Sequence, residues 1–436
     1  MKTAATLLKK FQGNQPDPLA QFSKLSGPPG LKALIEDVRL ELIKTHGELF
    51  LKNINENMPR IKEAIREQLT KIFPDVDVTL EEDIIAHMVG LGPIEKLRNR
   101  QGISEIMING PEDVWIDING ILTKTDVKFD SDKDVRDLLD RVALRCGRKI
   151  NMSKPILDAR YENLRVNGVI PPRSKNTLIT IRVKNEEDVL TETELLENGT
   201  FISDIATFIN FAVRARLNII VCGPAGSGKT VLIRILGGYI PHDERIVTIE
   251  DVYELGLELI HPHVVALEAG AKDEAGSIND LTINALRMRP ERIIIGEIRG
   301  AEAIELLRAM GTGHEGSLTS LHSNFGKQEM VSRLIGSMSE GTGIPVDDLK
   351  RMLGETVDLT IFIKKYKDGT RRLHISEVTN DNEERQPDFN DIYRYNFEKG
   401  AYEFVQPLTS GLLWKIRDNL MGRELPEIPP FKERRA

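Results

Sequence analysis

The sequence predicts an α/β protein whose main domain is built on a largely parallel sheet, preceded by a smaller α/β domain and a small helical segment. Three observations predict it. From about Asp204 strands alternate with helices, the pattern of a parallel sheet flanked by helices. A glycine-rich turn, Gly223–Thr230, lies between an apolar strand and a helix. Between residues 76 and 190, short strands and a hairpin signal surround one helical stretch.

Taken in order, residues 1–30 are rich in Gly, Pro, Gln and Ser and read as a flexible tail. Residues 31–75 change character. Leu34, Ile35, Val38, Leu42 and Ile43, then Ile61, Ile65, Leu69 and Ile72, recur at helical spacing, with Met58-Pro59 marking a break. A helical hairpin or bundle is expected there. In residues 76–190, Ile103–Asn109 runs into the turn Gly110-Pro111, and Val114–Ile118 meets the two-residue hairpin signal Asn119-Gly120. Asp134–Arg148 is helical in pattern, and further strands are expected at Leu164–Ile170 and Leu178–Val183. The charged stretch 184–188 and residues 191–203 are expected to link this domain to the last one, 204–436. There the expected strands are Asn218–Cys222, Ile246–Glu250 and Ile293–Glu297.

A chain of 436 residues exceeds one ordinary core and favours two or three domains. Its net charge of −8, with the two signs interleaved, argues against a dedicated nucleic-acid binder, so no nucleic-acid partner is expected. The two cysteines, Cys146 and Cys222, lie far apart, which argues against a disulfide framework or zinc site and for a reducing cytoplasm. The first residues lack the apolar stretch of a signal peptide, and no run approaches the roughly 18 apolar residues that span a bilayer. A role at a membrane would therefore need recruitment.

Leu217–Cys222 is a compact apolar run. It feeds Gly223, Pro224, Ala225, Gly226, Ser227, Gly228, Lys229 and Thr230, and Val231–Leu236 continues at helical spacing. This is the full G-x-x-x-x-G-K-T pattern in its strand–loop–helix setting. Its glycines let backbone N–H groups turn inward around phosphates, and the helix that opens through Val231 points its positive end at the same anion. The expected ligand is ATP: Lys229 reaches the β- and γ-phosphates, and the Thr230 hydroxyl takes a Mg²⁺ position.

Hydrolysis also needs an acid that orients water and oxygen ligands for the metal. Such groups belong at strand ends beside the loop. Two candidates end apolar strands, Glu250 (followed by Asp251) and Glu297. Glu250 is expected to orient the water and Glu297 to work with Mg²⁺ through its waters, although the two roles are interchangeable at this level. Gly296 stands where an aspartate often would. Two of the eight histidines, His314 and His322, fall in Thr312–Ser323 without metal-ligand spacing.

Together these motifs resemble the secretion ATPase superfamily of type II and type IV secretion and pilus machines. The loop is followed by an acidic box (Ile246–Asp251), an atypical Walker B segment (Leu286–Gly300) and a histidine box (Gly313–His322), in the family's order. Ile103–Ile116, Arg165–Pro172 and Ile179–Arg182 look most like the tight-adherence (Flp) pilus branch called CpaF or TadA. The resemblance covers about residues 80–380. It implies a PAS-like N-terminal domain joined to a RecA-like ATPase domain, assembled as a homo-hexamer. The implied motor is cytoplasmic, at the inner face of the inner membrane, and drives assembly or retraction of a Flp-type pilus or related secretion system through an inner-membrane platform protein. It also implies that Arg165 and Arg182, with Arg160 a weaker match, meet the nucleotide, and that His314 and His322 sense phosphate. A conjugative type IV secretion or archaeal flagellum motor is the near alternative, and a nucleic-acid translocase on a RecA-like core is the alternative of another class. Two departures stand out: the chain lacks the cysteines of the type II branch's zinc module, and Glu315 adjoins His314.

Overall fold

The computed structural model describes residues 29–50, 54–74, 76–118, 121–162, 164–183, 191–269, 276–339, 342–380, 382 and 386–432. The expected tail up to residue 28, the Asn119-Gly120 turn and the charged stretch 184–188 lie outside the described residues. The chain divides into two compact units, Met1–Asp188 and Val189–Ala436.

In the first unit, α1 (Pro29–His46), α2 (Ile54–Ile72) and α3 (Val78–Val89) share a core of Leu34, Val38, Leu42, Ile61, Ile65, Leu69 and Ile84. The helical spacing thus marked the buried face, while Ile43 stays exposed. Pro59 does not break the helix. It lies near the start of α2, where its missing N–H removes only one intrahelical bond. After α4 (Glu95–Arg98) come β1 (Ile103–Ile108), β2 (Val114–Ile118), β3 (Ile121–Lys124), α5 (Asp132–Arg145), β4 (Ile156–Tyr161), β5 (Leu164–Val169) and β6 (Leu178–Val183). The strands form one antiparallel sheet ordered β3-β2-β1-β6-β5-β4. Its inward residues Ile106, Ile181, Val166 and Ala159 share a core with Val135, Leu138, Leu139 and Val142 of α5. Ser131 starts that helix by accepting from the Asp134 N–H.

The second unit begins with α6 (Glu192–Glu197) and α7 (Ser203–Arg214). Leu195 and Phe201 are buried in its core, so residues expected as a linker are packed structure. Then follow β7 (Ile219–Gly223), α8 (Lys229–Gly238), β8 (Ile246–Glu250), β9 (Val264–Glu268), α9 (Ile278–Ala285), β10 (Arg292–Ile298), α10 (Glu302–Gly311) and β11 (Leu318–His322). The unit closes with α11 (Lys327–Ser339), α12 (Val346–Thr356), β12 (Leu359–Lys365), β13 (Arg371–Thr379), β14 (Asp388–Asn396), β15 (Ala401–Phe404) and α13 (Ser410–Asn419). The sheet order is β15-β14-β13-β12-β7-β11-β10-β8-β9. It is parallel from β12 to β9 and antiparallel from β12 to β15.

Strand β7 explains why the main domain was legible. Ile219 and Val221 enter the core on one face of the sheet, and Ile220 and Cys222 enter the core on the other. A strand covered on both faces reads as an unbroken apolar run. Cys222 belongs to that packing, and burial pushes its thiol up to about 12, leaving it inert. Because β7, β11, β10 and β8 are parallel, their C-terminal ends meet at one edge, where a parallel sheet presents its ligand site.

Candidate nucleotide site

At that edge β7 opens into the glycine-rich loop. Gly226 and Gly228 have φ of 66° and 101°, a region that side chains disfavour, and Gly228 precedes the first residue of α8. Gly223 is glycine for a different reason: a Cβ there would stand 2.1 Å from the Ile363 carbonyl oxygen of β12. Thr230 and Val231 occupy the first turn of α8, whose positive end faces the loop.

The Lys229 ammonium is buried at 9% exposure, donates to the carbonyls of Gly223 and Pro224 at 3.1 Å, and lies 3.9 Å from Glu297 Oε1. Burial pushes its pKa down, and the Glu297 carboxylate opposes that shift. Buried Ser227 Oγ has no hydrogen-bond partner among the described residues.

The two acids sit differently. Glu250 is buried, and its Oε2 accepts from the Glu254 and Leu255 N–H groups at 2.8 and 2.9 Å, so the carboxylate holds the loop that follows β8. Its side chain also fills the space beside Gly296, where an added Cβ would lie 3.2 Å from Glu250 Cγ. A side chain at 296 would need Glu250 to give way by a few tenths of an ångström. Glu297 faces Lys229 and accepts from Arg299 Nε at 2.9 Å. Arg299 in turn donates through Nη1 to Asp251 at 2.6 Å. Burial alone would lower the Arg299 pKa, but Glu297 and Asp251 outweigh it and raise it. Sequence reasoning missed Arg299 as a site residue. The available signal was its position two residues after Glu297, since alternate residues of an extended chain share a side.

The histidines part company. His322 ends β11 in register with Gly223, next to the loop. His314 does not reach it. Its turn is tied to the start of β7, since the Gly316 and Ser317 N–H groups bond Asn218 Oδ1 at 2.8 and 3.2 Å. At about 3.3 Å per residue, the length of β7 separates that edge from the loop by roughly 13 Å. The His314 Nδ1 is buried there without a hydrogen-bond partner among the described residues.

In the first unit, antiparallel register sets Glu105 opposite Arg182, Arg182 opposite Arg165, and Arg165 opposite Arg160. All four lie on the face away from the core, which makes an acid-flanked row of three arginines. Arg165 pairs with Asp158 at 3.3 Å and Arg182 with Glu105 at 3.1 Å. Each of these is a partly exposed ion pair and is easily exchanged for another anion.

No group of three or more His, Cys, Asp or Glu among the described residues is placed to hold a metal by itself. A Mg²⁺ bound through phosphate oxygens, one hydroxyl and one carboxylate needs no such group, and Thr230 with Glu297 fits that donor set. No helix of the described residues is long and apolar enough to cross a membrane.

The family described as "Type II/IV secretion system protein" matches residues 87–355. A putative conjugal transfer protein of Mycobacterium tuberculosis (strain ATCC 25618 / H37Rv) is 33% identical over 300 residues, covering 66% of this chain and 83% of its own length. The type IV secretion system protein VirB11 of Bartonella henselae is 30% identical over 331 residues, covering 66% of this chain and 92% of its own. Among solved structures, the VirB11 ATPase of the Brucella suis type IV secretion system, in complex with sulphate, aligns with a TM-score of 0.36 and 26% identity over 64% of this chain and 94% of that one. The chain is a P-loop ATPase and belongs to the type II/IV secretion system protein family.

Proposed function

We propose that this chain is the cytoplasmic motor of a Flp-type pilus or related secretion machine. It would act as a homo-hexamer at the inner face of the inner membrane, turning ATP hydrolysis into movement of a membrane platform protein. The observation that carries the catalytic part is the pairing of buried Lys229 with Glu297 at the strand edge that opens into the loop. In this reading the N–H groups of Gly223–Val231 cradle the phosphates and Lys229 reaches the β- and γ-phosphates. Thr230 and Glu297 serve Mg²⁺, which when bound would offset the charge developing on the phosphoryl oxygens. Glu250, buried and holding the loop after β8, acts through the position of that loop. His322 senses phosphate.

The test is hydrolysis by the full chain. Lys229→Ala should abolish turnover, and Glu297→Gln should cut it by about 10²–10⁴-fold with nucleotide still bound. Near-parental rates in both variants would sink the proposal. The names of the relatives, conjugal transfer and type IV secretion, favour a second reading as the motor of a conjugative or type IV secretion system. Deletion of the gene separates the two: loss of surface pili supports the first, loss of DNA or protein export the second. DNA-stimulated turnover would point instead to a nucleic-acid translocase.

A further inference from the structure

Strand β12 lies parallel beside β7, with Phe362 in register with Cys222, so the turn between β12 and β13 emerges at the same edge as the glycine-rich loop. Contact is close there, as the 2.1 Å approach of the Ile363 carbonyl to a Cβ at Gly223 records. Residues 364–372 carry five cations, Lys364, Lys365, Lys367, Arg371 and Arg372, against the single acid Asp368, in a chain whose net charge is −8. Asp368 is turned inward on Thr370, accepting from its N–H and hydroxyl at 3.0 and 2.7 Å.

The two arginines that open β13 behave differently. Arg372 is committed to structure: it donates to the Gly199 carbonyl at 3.0 Å and stacks 4.3 Å over Tyr395. Arg371 lies against the loop. Its Nε donates to the Ser227 carbonyl at 3.2 Å, and its Nε and Cδ stand 3.3 and 3.5 Å from where a Cβ on Gly228 would be. It forms no ion pair among the described residues. Half-buried as it is, desolvation alone sets its electrostatics and pushes its pKa down. A guanidinium carries five N–H donors in a planar fork suited to phosphate. One of them is used on the loop, and a desolvated cation without a counter-ion gains from an anion placed beside it.

We infer that Arg371 is a ligand of the phosphate chain of the bound nucleotide, presented to the Ser227–Gly228 segment by the basic β12–β13 turn. The inference rests on the reading of Gly223–Val231 as the nucleotide loop. That segment surrounds the α- and β-phosphates, whereas Lys229 serves the β- and γ-phosphates. Arg371 therefore contacts the part of the chain that ATP and ADP share.

Binding of ATP and ADP to the full chain, measured by calorimetry beside the melting temperature of the nucleotide-free protein, tests it. Arg371→Ala should raise Kd for both nucleotides by about 10- to 100-fold and by similar factors. The nucleotide-free melting temperature should stay within ~2 °C. Arg371→Lys, which keeps the charge without the fork, should recover part of the loss. Unchanged Kd values, a loss confined to ATP, or a lowered nucleotide-free melting temperature with unchanged binding would each overturn the inference and leave Arg371 as a structural clamp. Lys229→Ala separates this failure from failure of the loop reading. Intact binding in Lys229→Ala sinks the loop itself, whereas lost binding there with parental binding in Arg371→Ala sinks only Arg371.

Discussion

Gly296 departs from the usual Walker B acid, and the buried side chain of Glu250 packs beside it. An added Cβ there would lie 3.2 Å from Glu250 Cγ, and a carboxylate would be forced beside the buried Glu250. Gly296→Asp, which restores the common motif, should therefore weaken the protein. Overpacking costs about 1–3 kcal/mol, before any like-charge repulsion is added. Thermal unfolding of Gly296→Ala and Gly296→Asp should show a drop that is larger for Asp, with hydrolysis lost in the latter. A Gly296→Asp variant as stable and active as the parent would show that Glu250 yields easily. The glycines of the loop were legible from spacing, because the motif requires backbone to face phosphate. The packing at Gly296 was not, because the side chain beside it comes from another strand, 46 positions away in the sequence numbering.

Among elements, the ends of β8 and β10 are joined by one side chain. Arg299 links Glu297 to Asp251, so the segments after both strands are held by a shared cation. The side chain is 57% exposed, and pairs of that kind contribute at most about 1 kcal/mol. Its effect should accordingly appear in catalysis. Arg299→Ala should leave the melting temperature nearly unchanged while lowering kcat by about 10-fold, because misplacing Glu297 degrades positioning at the reacting centre. Equal losses of stability and activity would contradict this. Strands β7, β8 and β10 were readable from the sequence because burial on both faces gives each an apolar run, Ile219–Cys222, Ile246–Val247 and Ile293–Ile295. Strand β14 was not, since Asp388, Asn390, Asp391 and Arg394 break up its pattern, whereas β4 did carry an alternation, Leu157, Ala159 and Tyr161 against Asp158 and Arg160, that sequence reasoning missed.

At the scale of the whole molecule, the sheet edge opposite the loop is tied by a buried ion pair. Arg292 is fully buried and donates to Glu244 at 2.5 and 3.2 Å and to the carbonyls of Val213 and Gly316, and Arg216 donates to the same Glu244 at 3.0 Å. Glu244→Gln would leave that guanidinium without its anion and should cost about 3–5 kcal/mol. Burial pushes the Glu244 pKa up, but the two arginines outweigh it and hold the group below its ordinary 4.5. Its contribution is thus present above pH 4.5 and is lost as pH falls through the lower folded value. Unfolding followed from pH 7 to 3 should show the parent losing stability in that window and Glu244→Gln losing less. Equal slopes would remove Glu244 from the account. The sequence by itself determined the parallel-sheet domain, the phosphate loop, Lys229 and the two strand-end acids, because local spacing and apolar runs encode backbone turns and buried strands. Only the tertiary structure decided that Glu297 rather than Glu250 faces Lys229, that His322 ends its strand beside the loop while the turn of His314 is tied to the far edge, that Arg299 bridges Glu297 and Asp251, and that Arg371 touches the Ser227 carbonyl. Those placements depend on which strands lie side by side, and register between strands distant in sequence is set by packing rather than by local pattern.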